Sequence, residues 1–377
     1  MINHRSALSI VHYGDETRRV IREIALPCAL RMREQPGITA TFVRRVWKNG
    51  PQVQVVACGE QIDAVRDAVT GEIPYVSSQV KENPSTGTLD EAAYLRLSEK
   101  LGRAELVMPP YTPIWADNTV RMVASPTVDG LIVDIRAATL RDRLAGMFTD
   151  ILALALRRAE TAPGERTLIA FSFITLLAAG YPTAGLQHGH LSYKSSLEDF
   201  LYEHDQTGVF RAKIEAKYAD VADAFVEYAR GLVGDVKAPF SYTGDDELYA
   251  AWARLLDYGW REARKLAELK AILPLLHQGY LDRASALGED VERKFRSGDQ
   301  RGYSEFHLAM RDFDYKDEEG GFQFASYRFL NSFMATQLPL LDISPAERYF
   351  LAHAVTAVTE TLSQTSWREI FAEGAAS

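Results

Sequence analysis

The sequence predicts an α+β fold: an N-terminal ferredoxin-like βαββα sandwich packed on a mainly helical second half. Three observations lead there. Apolar alternation marks short strands near the N-terminus, helical periodicity dominates from about residue 127 onward, and a proline-rich stretch over 101–123 separates the two regimes. A chain of 377 residues can bury a large core. The expected division is an N-terminal α/β subdomain, residues 1–125, and a mainly helical subdomain, residues 126–377, completing an active-site cleft.

Taken in order, residues 8–13 alternate as a strand does. Asp15 stands where it would cap a helix reaching about Gln35, with Val20, Ile24, Leu30 and Met32 spaced along one face, and Pro36-Gly37 stops it. Strands over 39–47 and 53–58 flank an Asn-Gly-Pro turn, and a helix over 61–69 completes the βαββα order. The loop KENPSTGT, 81–88, feeds a helix through a capping box of Thr88 and Glu91. Residues 101–123 hold three prolines and read as an extended crossing segment rather than a helix. Helices are then expected over 140–158, 167–179, 195–204, 209–232, 245–276 and 279–286, around Ser304, and over 322–338. Ser344-Pro345-Ala346-Glu347 opens the next helix, with an N-cap, a first-turn proline and a glutamate three residues on.

Composition narrows the function. With 47% hydrophobic and 25% charged residues the chain is globular, and a net charge of −9 argues against nonspecific nucleic-acid binding. Cys28 and Cys58 cannot build a disulfide framework and read as small buried residues. The N-terminus lacks signal-peptide features, and the longest apolar run, 167–179, is too short to span a bilayer, so a soluble cytoplasmic protein with no membrane partner is expected. His188 and His190 lack the spacing partners of a metal site. Nucleotide loops and GxSxG elbows are missing, so an enzyme built on this chain would work by positioning and hydrogen bonding, without metal or cofactor.

Three segments carry chemistry. In TFVRRVWKNGPQVQVVACG, Arg44, Arg45 and Trp47 gather before a tight turn, offering cations and an aromatic wall suited to gripping a peptide or an anion; an ordinary hairpin with solvated arginines would read the same way. In HLSYKSSLEDF, Ser195 and Glu198 form a second capping box, with Ser192, Tyr193 and Lys194 just before the helix end whose free amides would favour negative charge. In FQFASYRFLNSFMATQL, Phe322, Phe329, Leu330, Phe333 and Met334 form an apolar stripe, while Phe324, Arg328, Asn331 and Ala335 form a second face that either snorkels to solvent or lines a pocket.

Taken together with SIVHYG, LGRAELVMPPYTPIWADNTV and ISPAER, these segments resemble the C-terminal, glutamate-elimination-type domain of lantibiotic dehydratases in its standalone form from thiopeptide biosynthesis. The resemblance spans nearly the whole chain. Elimination domains of that family carry R-Y-x-D-P-x-x-H-L-R and a later His-Met…Asn-Arg; here Gln52 and Gln54 stand at the His and Arg positions, and YRFLN lacks the His. The Arg-x-Trp-x-x-Gly-Pro pattern is more similar to the pyridine synthase branch, which closes the central nitrogen heterocycle of thiopeptides by a formal [4+2] reaction. There too a His commonly follows Gly-Pro, where this chain has Gln52, and Ser196 stands where a His follows the second Ser.

The resemblance implies a cofactor-free enzyme that joins two dehydroalanines of a ribosomal precursor peptide, leader plus dehydrated core, alongside partner biosynthetic enzymes. On this reading the side-chain chemistry leads us to expect catalytic work from Tyr193, Ser195, Arg328 and Asn331, substrate contacts from Trp47, Arg44 and Tyr327, and leader contacts from Arg22 and Arg45, with Arg18 and Arg33 as further candidates. Trp47, Tyr193, Ser195, Arg328 and Asn331 are expected to converge on one pocket between the sheet and the helical half. The alternatives are a glutamate-eliminating lyase and a non-catalytic precursor-binding subunit.

Overall fold

The structure, a computed structural model, describes residues 4–125, 134–273, 278–295, 302–312 and 318–376. The expected boundary at residue 125 abuts residues 126–133, and the end of the helix expected over 245–276 falls on 274–276; both stretches lie outside the described residues. The chain forms two compact units of discontinuous sequence. One comprises Met1–Arg157, Leu275–Arg301 and Pro339–Asp342, and the other Arg158–Pro274, Gly302–Leu338 and Ile343–Ser377.

The first unit is built on four strands: β1 (His4–Val11), β2 (Ile38–Val46), β3 (Gln52–Gly59) and β4 (Val120–Ala124). They pair antiparallel in the order β2-β3-β1-β4, with Leu8 of β1 opposite Val55 on one side and Met122 on the other. This is the ferredoxin-like order, the fourth strand arriving after a long insertion. The central strands β1 and β3 are buried along almost their whole length, so alternation was a weak guide there. Helical turns over residues 17–33, which include a π turn at Ile21–Ala25, and the Ile62–Glu82 helix pack on the sheet. The Ile135–Arg158 helix joins it through Thr149, whose hydroxyl donates to the Thr41 carbonyl at 3.0 Å, and through Asp142, paired with buried Arg5 (Nε–Oδ2 2.7 Å). Cys28 and Cys58 are buried thiols whose pKa burial pushes up.

Several local expectations are corrected. Glu16, not Asp15, stands at the first helix's N-cap, with no side-chain capping bond. The next helix runs on through Gly71 and Pro74 to Glu82, because Val65, Val69, Val76 and Val80 keep a buried stripe that outweighs both helix breakers. Asp90, not Thr88, caps the Glu91–Glu105 helix by accepting from the Ala93 amide at 3.0 Å, and that helix takes in the start of the supposed crossing segment.

At the centre of the second unit lies the Glu165–Ala179 helix, buried at every position from Ile169 to Ala179. A helix apolar all round needs neighbours all round. They are the helices Ala222–Leu232, Glu247–Glu268, Glu318–Gln337 and Pro345–Ser363. Ser172 joins the Tyr228 and Tyr249 hydroxyls in a cluster with separations of 2.7–3.1 Å, whereas the buried Thr175 hydroxyl has no hydrogen-bond partner. The Ser344–Glu347 capping box is present in both directions, at 3.2 and 2.9 Å. The helix expected over 209–232 is two helices, Val209–Ala219 and Ala222–Leu232. Among the described residues, no helix is long and apolar enough to cross a membrane.

Candidate functional site

A cavity of about 350 Å³ opens in the second unit, against the Leu191–His204 and Glu318–Gln337 helices. Its polar lining includes Tyr193, Ser195, Arg328 and Asn331, and its aromatic lining includes Phe324 and Tyr349. The second face of the Glu318–Gln337 helix, Phe324, Arg328, Asn331 and Ala335, lines this cavity rather than snorkelling away. Spacings of four, three and four residues stack these side chains on one side, while Leu330 and Phe333 fill the core.

Ser195 is not an N-cap. The helix begins at Leu191, after a short Gly185–Gly189 turn, so Ser195 sits inside it and exposes no free amides. Glu198 does not reach back to Ser195 either. Burial disfavours its charge, but Arg211 (2.7 Å) and Lys194 (2.9 Å) outweigh that and hold its pKa down to about 2. The Ser195 hydroxyl instead meets Nε2 of His307 at 3.0 Å, and His307 Nδ1 meets the Ser304 hydroxyl at 2.8 Å. Sequence reasoning passed over His307, which lies more than a hundred residues from Ser195 and carries no local motif.

Tyr193 is 8% exposed, and its hydroxyl has no hydrogen-bond partner. It lies near the Tyr327 hydroxyl, which donates instead to the Gly189 carbonyl at 2.6 Å. Burial pushes the Tyr193 pKa up, so this phenol keeps its proton and suits donating a hydrogen bond better than acting as a base. Tyr327 forms a wall: its ring stacks on Trp260 at 5.7 Å, nearly parallel, and meets the edge of Tyr181 at 5.2 Å. Beneath the site, fully buried His190 has its pKa lowered by desolvation to about 4, with Nδ1 3.2 Å from the Leu186 carbonyl and Nε2 without a partner. His188 lines the cavity, and burial lowers its pKa as well. Among the described residues no cluster of three or more metal-ligating side chains occurs.

The lining belongs wholly to the second unit, whereas Trp47 and Arg44 belong to the first. Trp47 tilts against Tyr111 at 5.6 Å and donates its indole N–H to Glu105 at 2.8 Å. Arg44 donates to the Gln54 side chain at 2.8 and 3.0 Å and to the Ser125 hydroxyl. Gln54 in turn donates to Gln52, which also accepts from Ser9 at 2.6 Å. The two glutamines thus belong to a connected polar ladder across three strands, a structural role no spacing rule foretold. Arg45 donates to the Pro339 carbonyl at 3.2 Å and lies 3.4 Å from Asp342, while Arg22 pairs with Glu23.

Two solved structures match almost from end to end. A pyridine synthase, TbtD, from thiomuracin biosynthesis matches with a TM-score of 0.70 over 96% of this chain and 100% of its own, at 19% sequence identity. The chain has its fold. A second structure, TsrL, matches with a TM-score of 0.66 over 99% of each chain, at 14% identity. No protein-family model matches the sequence, and neither does any curated protein.

Proposed function

We propose that this protein is a pyridine-forming cyclase of thiopeptide biosynthesis, joining two dehydroalanines of a modified precursor peptide into a six-membered nitrogen ring with loss of the leader. The observation that carries this reading is the full-length agreement in fold with a pyridine synthase. The cavity adds a donor-rich, aromatic-lined chamber of suitable chemistry.

The reaction asks for little covalent participation. The amide before one dehydroalanine must pass to its iminol form, giving an azadiene, and the second alkene must be held against it. Orientation of this kind can supply about 7–11 kcal/mol in favourable cases. Arg328 is the natural donor to the amide oxygen, since a guanidinium stays charged and presents a planar fork. Asn331, one turn away, offers a second donor, and Tyr193 a third whose proton is held in place by burial. Phe324 and Tyr349 take over the stacking role expected of Trp47. A cytoplasmic location suits a ribosomally made substrate.

Mass spectrometry on a dehydrated precursor tests this reading. The expected result is release of the leader fragment with the appearance of pyridine absorbance. Loss of glutamate from a glutamylated precursor would establish elimination instead, and tight binding with no mass change would establish a binding subunit.

A further inference from the structure

The geometry points to a proton relay in the cavity wall, in which His307 takes and returns a proton through the Ser195 hydroxyl. This rests on the cyclase reading and deepens it. Ser195 lies in the cavity wall, and its Oγ is 3.0 Å from His307 Nε2. The other ring nitrogen, Nδ1, lies 2.8 Å from the Ser304 hydroxyl, which also faces the His307 backbone amide at 3.4 Å. With Nδ1–H donating to Ser304, the Nε2 lone pair points at the Ser195 hydroxyl. That is the arrangement of nucleophile or acid, base and orienting group found in relays of this type. Phe306 packs beside the imidazole at 5.4 Å and is itself buried with Trp367, Ile370 and Phe371, which fixes the segment carrying His307.

The relay fits the proton inventory of the reaction. Azadiene formation takes one proton from the amide nitrogen; it passes to Ser195 Oγ while the hydroxyl proton moves to His307 Nε2. The negative charge left on the substrate oxygen faces Arg328. Two carbon–carbon bonds then form from the azadiene and the alkene, leaving an oxyanion on a ring carbon. The imidazolium returns its proton through Ser195 to that oxygen, restoring both side chains. Water and the leader carboxamide leave later, each with one ring C–H proton, so the sequence is redox-neutral and needs no co-reactant. His307 touches no reacting atom and is a positioning and relay residue; Ser195 is the catalytic one.

The test compares wild type with Ser195→Ala, His307→Gln and His307→Ala on the same dehydrated precursor, measuring single-turnover conversion across pH and peptide affinity separately. The expected result is a loss of about 100-fold or more in conversion for each variant, within the range of positioned acid–base groups, with affinity unchanged. Wild-type conversion falls on the acid side as His307 becomes protonated, and that limb disappears in His307→Gln. The elements packed around His307 carry Tyr193, Lys194, Glu198, Asp199, Tyr202, Glu203 and His204 on one helix, Glu305, Arg311 and Asp312 on its own, and Arg368, Glu369 and Glu373 on another. All of these persist in the variant, so loss of the limb assigns the titration to His307. Added imidazole restores part of the His307→Ala rate. If wild type converts the peptide and His307→Gln keeps its rate and acid limb, the relay is overturned while the cyclase reading stands. Failure of wild type to convert a bound, dehydrated peptide overturns the reading and the relay together. Should the His307 variants not fold, Ser195→Ala and Ser304→Ala decide the matter: full activity in both rejects the relay, and losses of about 100-fold and 10-fold support it.

Discussion

Tyr193 lines the cavity, and its buried hydroxyl lacks a hydrogen-bond partner. Removing it leaves no protein group unsatisfied, so Tyr193→Phe should change stability by less than about 0.5 kcal/mol. If it donates to the substrate, single-turnover conversion should still fall by about 100-fold, and Arg328→Ala should fall at least as far, with peptide affinity unchanged in both. A Tyr193→Phe chain that melts and turns over like wild type would remove Tyr193 from the chemistry. His190 supplies a pH prediction. Its folded pKa of about 4 lies below the ordinary 6.5, so the folded state resists protonation. The stability this contributes is full above pH 6.5 and is lost as pH falls toward 4. The gap corresponds to roughly 3 kcal/mol. Melting curves of wild type should drop through that window, and those of His190→Leu should drop less. Single residues were legible where their helical spacing alone set their direction, as for Phe324, Arg328, Asn331 and Ala335. They were not legible where a partner is remote: nothing near Ser195 in the chain announces His307.

At the scale of elements, the site depends on a close crossing of backbone. A Cβ added at Gly189 would lie 2.1 Å from the Ala178 carbonyl oxygen, so only glycine lets the Gly185–Gly189 turn seat against the end of the central helix. The Gly189 carbonyl then accepts from Tyr327, which locks one wall of the cavity. Gly189→Ala should therefore destabilise the second unit by several kcal/mol or displace Tyr327, lowering both the melting temperature and conversion. An alanine variant with wild-type melting and turnover would show that the turn can shift without cost to the site. Elements with strong local punctuation were readable from sequence, among them the hairpin closed at Asn49-Gly50 and the Ser344 capping box. The Ile62–Glu82 helix was cut short because tertiary burial of its valines overrides Gly71 and Pro74. The supposed cap at Ser195 failed for the converse reason: a local motif was present, but packing had already started the helix at Leu191.

For the whole molecule, charge frames how a substrate arrives. The net charge of −9 repels an acidic leader peptide, of the kind the thiopeptide resemblance implies, at long range. Any grip must come from local cations at contact distance, and two candidates are Arg22, paired with Glu23, and Arg45, beside Asp342. These two effects respond to salt with opposite sign. Screening weakens the long-range repulsion once separations exceed the Debye length of about 10 Å at 0.1 M salt, which raises the association rate. Screening also weakens the contact pairs, which raises the dissociation rate. Stopped-flow measurements with an acidic leader peptide should therefore show both rates increasing between low and high salt. Arg22→Gln and Arg45→Gln should raise the dissociation rate by roughly ten-fold while scarcely changing association, because most interface substitutions act on dissociation. Both substitutions remove one charge without creating a like-charge pair with Glu23 or Asp342, so a change in rate reports on the peptide rather than on a disrupted fold. Dissociation that is insensitive to salt and to both substitutions would mean that the leader is held by apolar contacts, and the arginine grip would have to be abandoned.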